Sequence, residues 1–240
     1  MSFEDFISNI SEDDLKRLNE EFYKQQKQIP TYKYSSIKFS DLNTLFDIER
    51  NISKKDSFNE WFSYKYNFKD DEVELFEKLI DKNSPLITNY SEEDLKANFI
   101  IPLINRVDFF LFDKKIRAFY KESLTYETNK FILKGKLDFV VSQGLFRSKK
   151  PYFFIQEFKK GKENSDPEPQ LLAELISAVE LNNLSYMKGA YIIGAIWNFV
   201  ILEKLGEDKY QYFVSTNFDS TKIEDLKDIY KNLLFIKSEL

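Results

Sequence analysis

The chain has 240 residues, a formal net charge of −5, 24 Phe, 14 Tyr, no Cys and no His. Without cysteine it has no disulfide, thiolate zinc site or cysteine nucleophile; without histidine it has no Ser-His-Asp triad, histidine-dependent phosphodiester chemistry or His-ligated metal. Carboxylates and lysines remain as catalysts, on a chain long enough and aromatic enough to bury a full core.

Residues 1–90 read as helices joined by polar connections. Phe3 to Gln28 carries Phe3, Phe6, Ile7, Ile10, Leu15, Leu18 and Phe22 at broadly helical spacing, interrupted near Ser11 and ended by Pro30. Further helices are expected over Asp41 to Arg50, Ser57 to Tyr64, and Asp70 to Asp81, the last opened by acids and stopped before Pro85. The aromatic cluster Phe58, Trp61, Phe62, Tyr64, Tyr66 and Phe68 is expected to pack on the core rather than form a recognition surface. The acidic N-terminus lacks an apolar signal core, and no stretch approaches ~18 uninterrupted apolar residues. The expectation is a soluble, cytoplasmic protein without membrane contact.

Ser91-Glu92-Glu93-Asp94 is a capping box opening a helix whose buried face is Leu95, Phe99, Ile100, Leu103 and Ile104, with a kink expected at Pro102. The acids at its start complement the helix N-terminus. The pattern then changes to strands over Arg117 to Tyr126 and Phe131 to Val141, an antiparallel pair leading into Asp138. After a turn at Gly144, the strand Tyr152 to Lys159 is aromatic and aliphatic until it ends in Glu157-Phe158-Lys159.

Strand side chains alternate faces, so Glu157 and Lys159 point the same way. A Glu-x-Lys pair on an exposed strand is commonplace as a solvated salt bridge. At the end of a core-like run it needs another reason, because a buried charge must be paired or bound. Two carboxylates and a lysine converging at strand ends make an oxygen-lined site suited to Mg2+ or Mn2+.

Asp166 caps the next helix, with Pro167 in its first turn. Gln170 and Glu174 share a face of that helix, and Gln170 lies close to the strand end. Lys188 to Ala195, Trp197 to Lys204 and Tyr210 to Ser215 read as strands, Ser220 to Lys237 as a closing helix, and Trp197 as a core residue.

The charge is unevenly spread: residues 1–90 hold 13 basic and 18 acidic residues, and Lys114 to Lys162 hold 13 basic and 4 acidic. A local basic surface of this kind suits a phosphate backbone. Lys136, Arg147, Lys149, Lys150, Lys160 and Lys162 are the candidate contacts.

Asp138, then Glu157-x-Lys159 about twenty residues on, then Gln170 at a helix start, resembles the PD-(D/E)XK nuclease superfamily over roughly Ser91 to Glu203. Leu137 stands where many members have proline, and Glu174 where recombination-type members have tyrosine. The resemblance implies a restriction-endonuclease-like α/β (α+β) fold, a mixed central sheet flanked by helices, with a core over 91–240 and a helical N-terminal region over 1–90. It implies a Mg2+-dependent (or Mn2+-dependent) nuclease cutting DNA, with Asp138, Glu157 and the Phe158 carbonyl as metal ligands. Glu92, or Glu93 in its place, would add a metal contact or orient water. Lys159 would assist the attacking water and Gln170 would position Lys159 or a phosphate. A non-catalytic nucleic-acid-binding or regulatory protein and an RNA nuclease are the alternatives. Double-strand cleavage from one such site per chain would call for a homodimer. Removing either mutually repelling carboxylate is expected to leave stability equal or raised.

Overall fold

A computed structural model describes residues 11–18, 29–53, 56–159 and 166–240. Most of the helix expected over Phe3 to Gln28, and the candidate contacts Lys160 and Lys162, lie outside the described residues, although 12–18 are helical. Three strands in succession, β3 (Ile116–Glu127), β4 (Ile132–Gln143) and β5 (Lys149–Lys159), form an antiparallel meander. Helix α6 (Pro167–Asn182) then returns the chain so that β6 (Tyr186–Ile193) runs parallel to β5. Strands β7 (Ile196–Gly206) and β8 (Lys209–Val214) continue antiparallel, the short β9 (Phe218–Asp219) pairs with β7, and helix α7 (Ile223–Ser238) closes the chain. The result is a mixed sheet flanked by helices, an α+β architecture.

The sheet is wider than the sequence pattern suggests. The region expected to be helical supplies two strands: β1 (Thr31–Lys33) runs parallel to β4, and β2 (Asp47–Arg50) runs parallel to β8. The helix expected over Asp41 to Arg50 is therefore shorter. It runs as α1 (Phe39–Leu45), and the chain turns extended at Phe46. Asp47 N–H is then taken by the Asp208 carbonyl at 2.8 Å, so pairing with an existing strand outweighs the weak local helix preference. The helix expected over Ser57 to Tyr64 is confined to α2 (Asn59–Phe62), and α3 covers Asp70–Asn83.

Both faces of the sheet are covered. On one face α6 packs Leu171, Leu175, Ile176 and Val179 against Val140, Ile155, Tyr191 and Val200. This helix is buried nearly all round, as its almost unbroken apolar sequence requires, because the N-terminal segment around Tyr34 and Leu42 covers its outer side. On the other face α2, α3, α7 and the helix opened by Ser91 cover Phe139, Phe154, Phe158 and Phe199. Trp61, 1% exposed, packs edge-on against Phe199 and donates its indole N–H to the Asn232 carbonyl at 2.8 Å. Trp197 is fully buried. Among the described residues no helix is long and apolar enough to cross a membrane.

The Ser91 capping box forms as expected, with Ser91 Oγ accepting the Asp94 N–H at 3.0 Å. The helix begins as α4 (Glu92–Leu95), passes through a π turn over Lys96–Ile100 and continues as α5 (Ile101–Val107). The irregularity expected at Pro102 thus falls one turn earlier. Pro102 has no N–H to return to the Asn98 carbonyl, and the ladder widens there.

Tyr34 ties the N-terminal segment to the centre. Its hydroxyl donates to Ser177 Oγ on α6 at 2.8 Å, and its ring lies on Gly135 of β4, where an added Cβ would stand 2.8 Å from Cδ2. Gly135→Ala is therefore expected to destabilise the protein by about 1–3 kcal/mol, measured by urea unfolding.

Candidate active site where β4 and β5 part

β4 and β5 pair from Gln143 opposite Lys149 to Phe139 opposite Gln156, and then separate. β1 takes up the same edge of β4 at Ile132, Leu133 and Lys134. Residues 135–138 of β4 thus face a gap between β1 and β5. The other edge, on β3, keeps its register through this region, but Lys121 lies at φ 55, in the left-handed region, opposite Asp138. This paired kink breaks the alternation of faces: Leu137 and Phe139, two residues apart, pack on opposite sides of the sheet.

Asp138 sits at the kink, and its carboxylate fills the gap. Oδ2 accepts the Phe158 N–H at 3.1 Å, replacing a β4 backbone acceptor. In a strand the N–H and C=O of one residue point to the same edge, so the Phe158 carbonyl faces the gap as well. Two lysines complete the surroundings. Lys121 Nζ bonds Asp138 Oδ1, and Lys96 Nζ lies 3.5 Å from Oδ2. Burial pushes the Asp138 carboxyl up, but the hydrogen bond from Lys121 and the charges of Lys96 and Lys121 outweigh it and hold the group below the ordinary carboxylate value.

Glu157 has the opposite balance. It is 1% exposed; Oε1 accepts from Lys159 Nζ at 2.7 Å, in line with their shared strand face; while ionised, Oε2 meets no donor among the described residues, whereas the protonated carboxyl hydrogen-bonds Asp138. Burial first and the Asp138 charge second push its carboxyl up to about 8, against the opposing pull of Lys159. Two neighbouring carboxyls with pKa values driven apart are a common mark of a functional site.

Helix α6 brings Gln170 and Glu174 beneath this pair. Asp166 caps the helix as expected, accepting the Glu168 N–H at 3.1 Å. Gln170, expected to position Lys159 or a phosphate, donates from Nε2 to Glu174 Oε1 at 3.0 Å. Gln170 Oε1 and Glu174 Oε2 have no partner among the described residues. Burial, then the charge of Glu157, holds the Glu174 carboxyl well above its ordinary value. Glu174→Gln is accordingly expected to keep the fold and to raise the melting temperature more at pH 8 than at pH 5, measured by thermal unfolding.

Glu92 stands one lysine away from Asp138. Its Oε1 accepts from Lys96 Nζ at 2.5 Å, and Lys96 reaches on to Asp138. Among the described residues no group of three acidic side chains stands together as a metal-binding cluster, and Glu92 meets Asp138 through Lys96. Glu93 is exposed on the helix surface. The oxygens at the gap are those of the Asp138 carboxylate, the Glu157 carboxyl beside it and the Phe158 carbonyl. All are hard oxygens, of the kind Mg2+ or Mn2+ takes alongside water.

Lys96 and Lys121 are additions to the expected site. Lys96 is legible in principle: it lies at i, i+4 from Glu92 and on the same helix face as Ile100 and Leu103, an unusual place for a lysine. Its ammonium is also 5.4 Å from the Phe158 ring centroid. Nothing in the local pattern marks Lys121, which reaches Asp138 only through the β3–β4 register.

The candidate phosphate contacts divide. Lys136 is exposed on β4 two residues before Asp138. Arg147, Lys149 and Lys150 are exposed at the opposite end of the β4–β5 hairpin, and seven residues of strand put Lys150 about 23 Å from Glu157. The basic stretch is therefore not one surface around the acids. The chain matches no protein-family model and no curated protein.

Proposed function

We propose that this protein is a metal-dependent nuclease of the PD-(D/E)XK type, with a restriction-endonuclease-like core, acting on DNA. The observation that carries the reading is Glu157, a buried carboxyl between Asp138 and Lys159 where two strands part, which bonds Asp138 while protonated and has an oxygen that no donor among the described residues meets once it is ionised. The order of elements supports it: helix, acid-bearing strand, Glu-x-Lys strand, then a helix with Gln170 in its first turn. Asp138, Glu157 and the Phe158 carbonyl would hold Mg2+, which when bound polarises a phosphate and makes water a stronger acid.

The chain's own groups would do the rest. Asp138 is already ionised, held so by Lys121 and Lys96. Glu157 gives up its proton on taking a cation, since only the carboxylate is a ligand. Lys159, at the mouth of the site with its side chain 17% exposed, orients the attacking water and offsets charge developing on the phosphate. Gln170 holds Glu174 in place beneath Glu157.

One observation favours a second reading, a nucleic-acid-binding protein without turnover: both Asp138 oxygens already meet a lysine. Incubation with plasmid, linear duplex, single-stranded DNA and RNA, each with Mg2+, Mn2+ or EDTA, separates the readings. Cleavage of DNA that stops in EDTA is expected. Cleavage of RNA alone would reassign the substrate, and binding without product under every condition would leave the second reading.

A further inference from the structure

The end of the β4–β5 hairpin remote from the acids has its own chemistry. Gly144, at φ 109, turns the chain there and donates its N–H to the Lys115 carbonyl at 2.7 Å, which joins the tip to the turn at 112–115. Arg117 fastens the tip from below, its Nε donating to the Leu145 carbonyl at 2.7 Å while its guanidinium lies on the Phe119 ring. Within 109–117 and 143–151 the basic residues are Lys114, Lys115, Arg117, Arg147, Lys149 and Lys150, against the single acid Asp113. Apart from Arg117 all these cations are exposed, and none has a carboxylate within ion-pair reach among the described residues.

Three large apolar rings stand out among these charges. Phe146 at the tip is 93% exposed, Phe112 66% and Phe110 50%, and the last two stack on each other with centroids 6.2 Å apart. A groove of about 570 Å³ runs between Lys115 and the tip, lined also by Gly144, Phe146 and Lys149. Phe146 belongs to neither core cluster of the described residues, so core packing there does not account for it. Exposed aromatic rings set among uncompensated cations are the arrangement by which proteins hold single strands: rings stack unpaired bases and cations take the phosphates. A duplex offers the cations the same phosphates but keeps its bases stacked within.

We infer that the β4–β5 hairpin tip is a binding platform for single-stranded nucleic acid. Phe146 stacks an unpaired base, and Lys114, Lys115, Arg147, Lys149 and Lys150 hold the flanking phosphates. This rests on the nuclease reading for its choice of polyanion and deepens it by naming the form of substrate. β5 leads directly from the platform to Glu157.

Fluorescence anisotropy in EDTA at low salt, with a labelled oligothymidine and a labelled duplex of equal length, tests it without any cleavage. The oligothymidine is expected to bind more tightly than the duplex. Phe146→Ala should weaken it by about fivefold or more, and Phe146→Trp should restore it. Lys149→Glu with Lys150→Glu should weaken both ligands and make the dependence on salt shallower. Wild-type affinity of Phe146→Ala for oligothymidine overturns the inference. So does binding to phosphatidylserine vesicles in place of oligonucleotide, which would make the tip a membrane contact. The two readings fail separately: oligothymidine held through Phe146 but never hydrolysed removes the nuclease, whereas Mg2+-dependent cleavage with no role for Phe146 in binding removes the platform alone.

Discussion

Asp138→Asn and Glu157→Gln are each expected to reduce Mg2+-dependent DNA cleavage by about a hundredfold or more, measured as the rate of plasmid nicking with enzyme in excess. The two variants should differ in stability. Asp138 is bonded by Lys121, approached by Lys96 and accepts the Phe158 N–H, so removing its charge leaves two ammonium groups facing each other across the gap. These contacts reverse, for Asp138, the expectation that loss of either carboxylate leaves stability equal or raised. Its replacement should cost about 1–3 kcal/mol, below the usual figure for a fully buried pair because the Lys121 side chain is 55% exposed. Glu157 is the group whose burial and neighbouring charge disfavour ionisation, and Glu157→Gln should keep or raise stability near pH 8. A readout independent of turnover is Mg2+ binding by titration calorimetry, which should weaken in both variants. Unimpaired cleavage by either one would exclude the proposed site.

The parts of the fold legible in the sequence are those decided locally. Ser91 and Asp166 announce helix starts because a short side-chain oxygen meets the backbone N–H groups two or three residues on, and both caps form. Asp138 and Glu157 stand out because carboxyls inside apolar strands are anomalous, and both are buried. β1 and β2 are illegible for the converse reason. They are three and four residues long, and what makes them strands is an edge of β4 or β8 about a hundred residues or more away in sequence.

The same distinction governs the charges. Counted along the chain, Lys114 to Lys162 is one basic block, but a hairpin sends consecutive residues to opposite ends. Arg147, Lys149 and Lys150 finish far from the acids, while Lys121, with nothing in its neighbourhood to single it out, bonds Asp138. Lys96 belongs to a helix earlier in the chain, and only the packing of that helix over Phe158 brings its ammonium to the gap.

The pH dependence of stability gives the sharpest test of the site without its metal. In EDTA the folded protein is expected to lose stability as pH rises from about 4.5 to about 8. Folded Glu157 keeps its proton up to about 8, whereas the unfolded chain releases it near the ordinary 4.5. Between these values the folded state binds more protons than the unfolded state, so raising the pH favours unfolding by up to about 1.4 kcal/mol per pH unit for each such group. For Glu157 both states are protonated below the window and ionised above it, so its contribution to the slope vanishes at either end. Glu174, also shifted upward, acts in the same sense. The opposite shift of Asp138 acts outside the window: its contribution is present above its ordinary 3.8 and is lost as pH falls through the lower folded value. Lys121 and Lys159 are shifted upward from 10.5, so their contributions persist throughout and are lost only at higher pH. Urea midpoints from pH 5 to pH 9 should therefore fall in the wild type and fall less steeply in Glu157→Gln. Added Mg2+ should reverse the trend, stabilising more at pH 8 than at pH 6, because Glu157 must release its proton to bind the cation. Parallel pH profiles for wild type and Glu157→Gln would show that Glu157 is ionised in the folded protein, and with it the basis for a proton-linked cation site would go.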